Sequence, residues 1–443
     1  MMNAHPPFPN LRLRLALIVY GALWLLGLPF VLVYLWRRGR KDPLYFAHLA
    51  ERFGFHPPFR RGAIWVHAVS LGELRSAVPM IRALLDRGDP VVTTHFTPAG
   101  RREAVRVFAA DIAAGKLRAA WVPFEYGFAY HRFFKTFAPK CGLVMEIEIW
   151  PRMIMAARAT GVPLYMCNAQ YPSKSYARDG RTGFRAQVMR GFAGALVKSD
   201  LQAQRFASVG VENIQVTGEL RFDQPIPPHL VAAGVAVRGW LGAQNRRVIT
   251  VASAVEGEDG VYIKALAALL TIDRRAGHLP ALIVYVPRKP ERFDEMATML
   301  AAEGFTVGRR SQLLDGDFAP LGDAPTINLL LGDSLGEMYA YLAMADMVIV
   351  GGGFTPKGAH NIIEPLALRK PVIVGPVIHT IEYPAIEAIA TGVCWQMDSP
   401  EKLREVLLAG TAPDPAAIEA FFNAHSGATA RTIAALDALL TSR

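Results

Sequence analysis

The sequence predicts an α/β protein in which two parallel-sheet domains follow an apolar N-terminal helix. Three features lead to this prediction. The stretch from Leu15 to Trp36 contains no charged residue. Short β-branched runs then alternate with stretches long enough for helices, as in doubly wound sheets. The alternation pauses between Phe222 and Asn245 and then resumes, which indicates a second domain.

The apolar stretch is predicted to be an uncleaved membrane anchor at residues 1–40, because it is long enough to cross a ~30 Å hydrocarbon layer. Basic residues flank it, with Arg12 and Arg14 before it and Arg37, Arg38, Arg40 and Lys41 after it. This distribution predicts that the remaining chain is cytoplasmic, and the second group suits anionic headgroups. A cleaved signal peptide and a buried soluble helix are the alternatives. Pro29 leaves open whether the segment spans the membrane or re-enters it.

The first domain is expected at residues 41–225, where five apolar runs predict strands. They are Ile64–His67, Pro90–Thr94, Gly142–Met145, Pro163–Met166 and Ala195–Val197. Helices should fill the gaps, for example at Glu73–Asp86 and Pro98–Ala109. In sheets of this kind, ligands bind outside the carboxyl ends of the strands.

A proline-rich linker is predicted at residues 226–245, and the second domain at 246–443. Its strands are expected at Val248–Val251, Ala281–Val286, Ile327–Leu331, Met347–Val350 and Pro371–Val374. Two facing domains would bring the carboxyl ends of both sheets to one cleft, which suits the joining of two substrates.

Composition excludes several classes of protein. Apolar residues make up 52% of the 443 residues, so the chain is not mainly disordered. The three cysteines are widely spaced and support neither a disulfide framework nor a zinc site, so a reducing compartment is expected. The net charge of +10 favours anionic partners. A nucleic-acid partner is not predicted, because the arginines are scattered and no recognition motif stands out.

The segment from Trp65 to Arg75 runs from a strand into a helix and carries a candidate general base. Glu73 is expected in the first helical turn, beside the carboxyl end of the strand, where a carboxylate can accept a proton from an attacking hydroxyl. The alternative is that it only complements the helix dipole. Ser70 is either a helix cap or a ligand. Gly72 lies between Ser70 and Glu73 in the sequence. His67 is expected to be a buried core residue.

The segment from Val350 to Pro365 follows a strand, is rich in glycine and is expected to open a helix. Gly352 and Gly353 would let backbone N–H groups approach a phosphate, with the helix N-terminus contributing a favourable dipole. Glu364 would accept hydrogen bonds from ribose hydroxyls. The alternative is a capping interaction between Glu364 and Asn361.

Three further strand ends carry candidate site residues. Arg288 and Lys289 follow a strand where a phosphate or sugar carboxylate would lie, and Arg suits bidentate pairing with anions. Ser253 lies in a similar strand-to-helix turn. Glu146 and Glu148 form another turn at the cleft, and either could be structural. No metal site and no cofactor are predicted, because the Asp-Gly-Asp at 315–317 lies in a polar loop.

These segments together resemble the transferases of 3-deoxy-D-manno-octulosonic acid (Kdo). The resemblance covers nearly all the chain after the anchor, with seven motifs in the same order. They are His-x-Val-Ser-x-Gly-Glu at 67–73, Met-Glu-x-Glu-x-Trp-Pro at 145–151, Val-Thr-Gly-x-x-x-Phe-Asp at 216–223, Glu-Gly-Glu at 256–258, Val-Pro-Arg-x-Pro-Glu-Arg-Phe at 286–293, Asp-Ser-x-Gly-Glu at 333–337 and His-Asn-x-x-Glu-Pro at 360–365.

The resemblance implies a GT-B fold with an acceptor-binding first domain and a second domain that binds the donor, CMP-Kdo. It implies inverting, metal-independent transfer to a lipid A precursor, a phosphorylated glycolipid, at the cytoplasmic face of the inner membrane in lipopolysaccharide biosynthesis. The family's base falls on Glu73. Its donor site falls on Arg288, Gly352, Gly353, Asn361 and Glu364.

Some positions depart from the family pattern. Many members have His where this chain has Val255 and Lys289, and Gln170 and Ala359 interrupt two other motifs. Two alternatives therefore remain. One is a GT-B paralogue that uses another ulosonic acid, nucleotide sugar or acceptor. The other is a catalytically silent, membrane-tethered binding protein.

Overall fold

The computed structural model describes residues 8–441, except for the side chains of residues 181 and 182. The chain divides into two compact units. The first unit extends to Gln224 and also includes the C-terminal segment from Ser426, and the second unit is Pro225–His425. The first seven residues of the predicted anchor lie outside the described residues.

The first unit is built on a seven-stranded parallel sheet with the order β3-β2-β1-β4-β5-β6-β7. Its strands are β1 Ile64–His67, β2 Val91–His95, β3 Leu117–Trp121, β4 Cys141–Met145, β5 Leu164–Ala169, β6 Gly194–Val197 and β7 Ile214–Val216. The sequence did not predict β3 and β7. The first of these contains no β-branched residue, and the second is a three-residue edge strand.

Helices cover both faces of this sheet, and each face packs on its own apolar cluster. In chain order they are α1 Leu11–Gly39, α2 Leu71–Asp86, α3 Pro98–Val107, α4 Ala109–Ala113, α5 Gly127–Phe137, α6 Pro151–Thr160, α7 Ser173–Thr182, α8 Phe184–Met189 and α9 Asp200–Ser208. Short 3₁₀ helices occur at Pro43–Tyr45, Leu49–Phe53 and Leu220–Asp223. By length and composition, α1 could cross a membrane, with a mean hydropathy of 2.3 in its most apolar window.

The second unit repeats this plan, with the strand order β10-β11-β9-β8-β12-β13-β14 and parallel pairing throughout. Its strands are β8 Val248–Ala254, β9 Leu282–Pro287, β10 Val307–Arg309, β11 Leu329–Leu331, β12 Met347–Val350, β13 Val372–Val374 and β14 Cys394–Gln396. The edge strands β10 and β14 were not predicted, because each has only three residues and includes polar or glycine positions.

The helices of the second unit begin inside the predicted linker. They are α10 Pro228–Trp240, α11 Asp259–Arg275, α12 Phe293–Ala302, α13 Arg310–Leu313, α14 Met338–Met344, α15 Ile363–Ala367, α16 Glu382–Ala390, α17 Pro400–Ala409 and α18 Pro415–His425, with a 3₁₀ helix at Pro290–Arg292.

The linker prediction at 226–245 is wrong for most of its length, because α10 occupies it. Pro228 stands at the first helical position, where its missing N–H costs nothing, so the proline cluster starts a helix. The Arg238 guanidinium binds Asp346 with N–O distances of 2.7 and 2.9 Å, which ties α10 to the second unit.

The predicted range 246–443 for the second domain is wrong at its C-terminal end. The last helix, α19 (Ala428–Thr441), belongs to the first unit. The backbone N–H groups of Gly427 and Thr429 donate to the Asp223 carboxylate at 2.6 and 2.5 Å. Leu436 is fully buried in the cluster that covers one face of the first sheet. The alanine-rich tail is thus a helix whose partner lies far away in the sequence.

Near the centre of each sheet there is a point at which the strand order reverses. In the first unit it lies between β1 and β4, and in the second between β8 and β12. The connections that leave these neighbouring strands run in opposite directions, which opens a crevice at their carboxyl ends. Four of the segments that the sequence singled out follow these four strands, and the segment with Arg288 and Lys289 follows β9.

Candidate active site

Glu73 lies in the first turn of α2, directly after β1, and its carboxyl group is held on both sides. The Ser70 hydroxyl donates to Glu73 Oε1 at 2.8 Å, and the backbone N–H of Val69 donates to Oε2 at 2.7 Å. Ser70 in turn accepts from the Glu73 N–H at 3.4 Å and is the N-cap of α2. The predicted capping role of Ser70 is therefore present, and Glu73 completes the capping pair.

The same carboxyl group is half-buried, and its protonation is perturbed. Burial raises the pKa of Glu73 to about 7, the hydrogen bonds from Ser70 and Val69 oppose that rise, and the negative charges of Glu148 and Glu146 add to it. A group with this pKa exchanges a proton near neutral pH. A dipole-complementing glutamate at an exposed helix start would instead be fully ionised.

The turn that carries Glu73 is fixed by its neighbours. The Val69 carbonyl accepts the backbone N–H groups of Phe96 and Thr97, both at 3.2 Å, and also the Thr97 hydroxyl. Gly72 is exposed and forms the rim of the turn. His67 is completely buried, as predicted, and its Nδ1 lies 2.9 Å from the Thr94 hydroxyl. Burial lowers the pKa of His67 to about 3, so it is a neutral core residue.

Glu148 and Glu146 follow β4, on the other side of the first crevice, but their environments differ. Glu148 accepts a hydrogen bond from the indole N–H of Trp150 at 2.8 Å. Glu146 has a positive φ of 57° and binds the Lys198 ammonium at 2.9 and 3.0 Å. Glu148 is therefore the second carboxylate of the crevice, and Glu146 belongs to a structural ion cluster.

Lys198 is the centre of that cluster. Its ammonium also lies 2.8 Å from Glu219, and Asn168 donates to both Glu146 and Glu219. Burial disfavours the charged form of Lys198, but the two carboxylates outweigh it and hold its pKa above the ordinary value. The cluster joins the end of β5, where Asn168 lies, to the loops after β4, β6 and β7. The sequence pattern does not single out Lys198 and Glu219, although each follows a strand, because their pairing is not local.

In the second unit, Glu258 occupies the crevice between β8 and β12. It is completely buried at the start of α11 and accepts the N–H of Val255 at 3.0 Å. It also accepts the N–H of Gly352 at 2.7 Å and that of Phe354 at 3.3 Å. Glu258 is the last residue of the Glu-Gly-Glu motif at 256–258, and the sequence alone predicts no role for it.

This contact corrects the predicted role of Gly352, because its N–H is occupied by Glu258. Glycine is needed at positions 352 and 353 for another reason. A Cβ at Gly352, where φ is +93°, would lie 2.2 Å from the Gly358 carbonyl oxygen. A Cβ at Gly353 would lie 2.5 Å from the Gly375 nitrogen. Both glycines thus allow backbone segments to pack closely against each other.

The other donor-site candidates surround this glycine loop. Ser253 is half-buried, with a positive φ of 63°, and its carbonyl lies against Gly351. The Arg288 N–H donates to the Ala254 carbonyl at 2.8 Å, and the side chains of Arg288 and Lys289 are exposed. Burial lowers the pKa of His360 to about 4, and the positive charge of Arg288 adds to this. The carboxyl ends of β8, β9 and β12 therefore lie next to one another at the same end of the second sheet.

Asn361 and Glu364 lie at the start of a helix that is shorter than expected. The helix α15 has five residues, so the predicted dipole contribution to phosphate binding is not supported. Asn361 Oδ1 accepts the Ile363 N–H at 3.0 Å, which is a local capping contact. Glu364 is half-buried. Burial raises the pKa of Tyr339 above its ordinary value, and the negative charge of Glu364 adds to that rise. This contact is not the predicted capping interaction between Asn361 and Glu364, because its donor is Ile363.

The described residues contain no group of three or more His, Cys, Asp or Glu side chains placed to hold a metal ion. Asp315 of the Asp-Gly-Asp sequence accepts the backbone N–H groups of Asp317 and Ala319 at 2.9 and 2.8 Å. These contacts close a turn.

Comparison with known proteins identifies the family. A family model described as 3-Deoxy-D-manno-octulosonic-acid transferase (kdotransferase) matches residues 47–224. The 3-deoxy-D-manno-octulosonic acid transferase of Bordetella pertussis is 40% identical over 421 residues, which are 92% of this chain and 96% of that relative. This chain belongs to the Kdo transferase family. The Haemophilus influenzae relative of the same name is 32% identical over 380 residues, 83% of each chain.

Membership of the Kdo transferase family makes the chain a glycosyltransferase, which confirms the enzyme class that the resemblance implied. Solved structures add the fold. Anabaena HepE in complex with UDP has a TM-score of 0.58 at 12% identity and covers 86% of this chain and 100% of its own. A putative UDP-N-acetylglucosamine 2-epimerase from Listeria monocytogenes has a TM-score of 0.56 at 13% identity, over 87% and 98%. With the two parallel sheets, these neighbours confirm the predicted GT-B fold.

Proposed function

We propose that this Kdo transferase moves Kdo from CMP-Kdo to a hydroxyl of a phosphorylated glycolipid of the lipid A precursor type, in lipopolysaccharide biosynthesis. The observation that carries the proposal is the Glu73 carboxyl group, which is half-buried at the carboxyl end of the first sheet and whose pKa is raised by burial to about 7. The relatives' printed names support the transferred sugar.

Glu73 is proposed as the general base. The attacking hydroxyl forms a bond to the anomeric carbon of Kdo while the bond from that carbon to the CMP phosphate oxygen breaks. The proton passes to Glu73, and the bonding electron pair leaves with CMP. A single displacement of this kind inverts the anomeric configuration. The hydrogen bonds from Ser70 and Val69 fix the orientation of the Glu73 carboxyl group. The group that takes the proton is therefore in place before the glycolipid binds.

The donor is assigned to the second unit. The exposed cations Arg288 and Lys289 follow β9 and suit the phosphate of CMP and the carboxylate of Kdo. Four residues near the carboxyl end of the same sheet are proposed to contact the nucleotide: Ser253 at the end of β8, Gly353 and Asn361 in the loop after β12, and Glu364 in α15. Charge stabilisation by Arg288 would take the place that a metal ion has in other transferases, so the reaction is proposed to be metal-independent.

The location is proposed to be the cytoplasmic face of the inner membrane. The apolar helix α1 is followed by Arg37, Arg38, Arg40 and Lys41, which suit the anionic lipids of the cytoplasmic leaflet. A membrane-bound acceptor would then be reached from the same surface.

The test is transfer by the purified full-length chain. CMP-Kdo and a tetra-acylated lipid A precursor are mixed with the protein, and the lipid product is weighed by mass spectrometry. Addition of one or more Kdo residues, also in the presence of EDTA, is expected. Parallel reactions with UDP-sugars should give no product. A product only from a UDP-sugar, or loss of Kdo transfer with EDTA, would contradict the donor or the metal-independence.

A further inference from the structure

The helix α1 is not separate from the first unit but lies along its surface. Its residues at three- and four-residue spacing face the unit, and Leu13, Leu17 and Leu35 are buried there. Trp24, Leu28 and Val31 also pack on the unit, so the contact runs along most of the helix length.

Polar contacts fix this packing at several points. The Asn10 side chain donates to Gln187 at 3.1 Å, and the Arg152 guanidinium donates to the Leu17 carbonyl at 2.7 Å. The Tyr126 hydroxyl donates to the Trp24 carbonyl at 2.8 Å. These bonds hold the backbone of α1, as well as its side chains, on the unit.

The opposite side of α1 is apolar and exposed. Large hydrophobic residues on it have half or more of their surface accessible: Leu11, Leu15, Ile18, Val19, Leu23, Leu25, Leu26, Phe30 and Trp36. This outer face of α1 is much larger than the scattered apolar exposure usual on a soluble protein. A Cβ at Gly27 would meet no other atom of the described residues within 4 Å, which shows that the face is open.

A spanning orientation conflicts with the packed side. Arg152 contacts α1 at Leu17, and the Tyr20 hydroxyl of α1 donates to the buried Glu125 at 3.1 Å. Leu17 and Tyr20 lie roughly 10 Å along the helix axis from Arg12. If α1 crossed the bilayer, Arg152 and Glu125, which contact them, would therefore lie inside the hydrocarbon layer. Charged groups at that depth are strongly disfavoured. An orientation parallel to the membrane leaves the same surface in water.

The charges at the ends of α1 fit an anionic lipid surface. Arg12 and Arg14 lie at one end, Arg37, Arg38 and Arg40 at the other, and all five are exposed. Beside the helix, Phe128 stacks on Tyr126 with ring centroids 5.4 Å apart and is half exposed. The Arg132 guanidinium lies over the ring of Phe55, itself 55% exposed, at 4.2 Å. Aromatic and basic residues of this kind favour the membrane interface.

We propose that α1 lies in the plane of the membrane, with its outer face in the acyl region of one anionic leaflet and its packed face on the first unit. The chain would thus be held on one side of the bilayer without crossing it. This inference rests on the proposed membrane location, but it does not depend on the identity of the donor or the acceptor.

The test measures the depth of the outer face. Spin labels are placed singly by Leu15→Cys, Leu26→Cys and Val33→Cys in the full chain, whose native cysteines are all buried. The protein is bound to vesicles of phosphatidylethanolamine and phosphatidylglycerol without substrates, and depth is read from accessibility to oxygen and to a water-soluble nickel chelate. A Glu401→Cys label on the second unit is the aqueous control.

An in-plane helix gives the same depth at all three labels. A spanning helix instead places Leu15 and Val33 near opposite surfaces, because 18 residues rise ~27 Å, with Leu26 between them. That graded profile would overturn the proposal, as would labels that remain accessible to nickel. Short label-to-label distances between copies would show that a second chain covers the face, and would also overturn it.

A charge variant tests the leaflet preference. Replacing Arg37, Arg38, Arg40 and Lys41 by Gln should weaken binding to these vesicles on the order of 10²–10³-fold at low salt. Binding to neutral vesicles should change little. The matched control is Lys402→Gln with Arg404→Gln on the second unit, which should leave binding unchanged. An equal loss on neutral vesicles would contradict the electrostatic contribution. Because no transfer reaction is measured, an incorrect donor or acceptor assignment would not alter either result.

Discussion

The two units place a glutamate beside the same kind of crevice but use it differently. Glu73 follows β1, is partly accessible, and, among the described residues, accepts hydrogen bonds only from its own turn. Glu258 follows β8, is fully buried, and accepts three backbone N–H groups, two of them from the loop after β12. The Glu258 carboxylate holds the loop after β12 in place. The Glu73 carboxylate instead remains partly accessible and can exchange a proton.

This difference shows that topological position alone does not assign a role. Both residues lie where ligands bind in doubly wound sheets. Their roles separate only when the hydrogen bonds are compared, because Glu258 could not move away from its N–H partners, two of them buried, without a large cost in free energy. The comparison predicts that Glu73 matters for rate and Glu258 for stability.

The largest expected effect is on transfer by Glu73→Gln. The rate should fall ~10²–10⁴-fold, because the amide cannot accept the proton of the attacking hydroxyl. Thermal unfolding should change little, since Gln can still pair with Ser70 and Val69. Glu148→Gln is the matched control in the same crevice and should retain most of the rate. Normal turnover by Glu73→Gln would remove the distinction between the two glutamates.

The next effect is on stability. Glu258→Ala should lower the free energy of unfolding by ~3 kcal/mol, because two buried N–H groups and a partly buried one lose their acceptor. Glu256→Ala changes an exposed glutamate two residues away and should stay within ~0.5 kcal/mol. Calorimetry of both variants measures the difference. If the two variants unfold alike, the structural role of Glu258 is wrong.

The smallest effect is a shift in pH dependence. A base must be deprotonated, so kcat/KM should fall tenfold per pH unit below about 7 and level off above it, as follows from the raised pKa of Glu73. Glu148→Gln removes a negative charge that helps to raise this pKa, so the acidic limb should move to lower pH. A limb that stays in place would mean that the two carboxylates do not interact.

Much of the fold followed from the sequence, since strands buried on both faces of a parallel sheet form continuous apolar runs. Short edge strands such as β7 and β14 gave no such signal. At the site, Glu73 and Ser70 were predicted with their correct local structure because a capping pair is encoded within four residues. Glu258 was overlooked, because its main partners are almost a hundred residues away.

The sequence by itself determined the alternation of strands and helices, the apolar α1 and the motifs of the family. These properties depend on residues close together in the chain. Only the tertiary structure decided that α19 returns to the first unit, that Gly352 donates to Glu258, and that α1 lies along a protein surface. Each of these depends on contacts between distant segments, and the free energy of such contacts comes from burial and hydrogen bonding that no local pattern specifies.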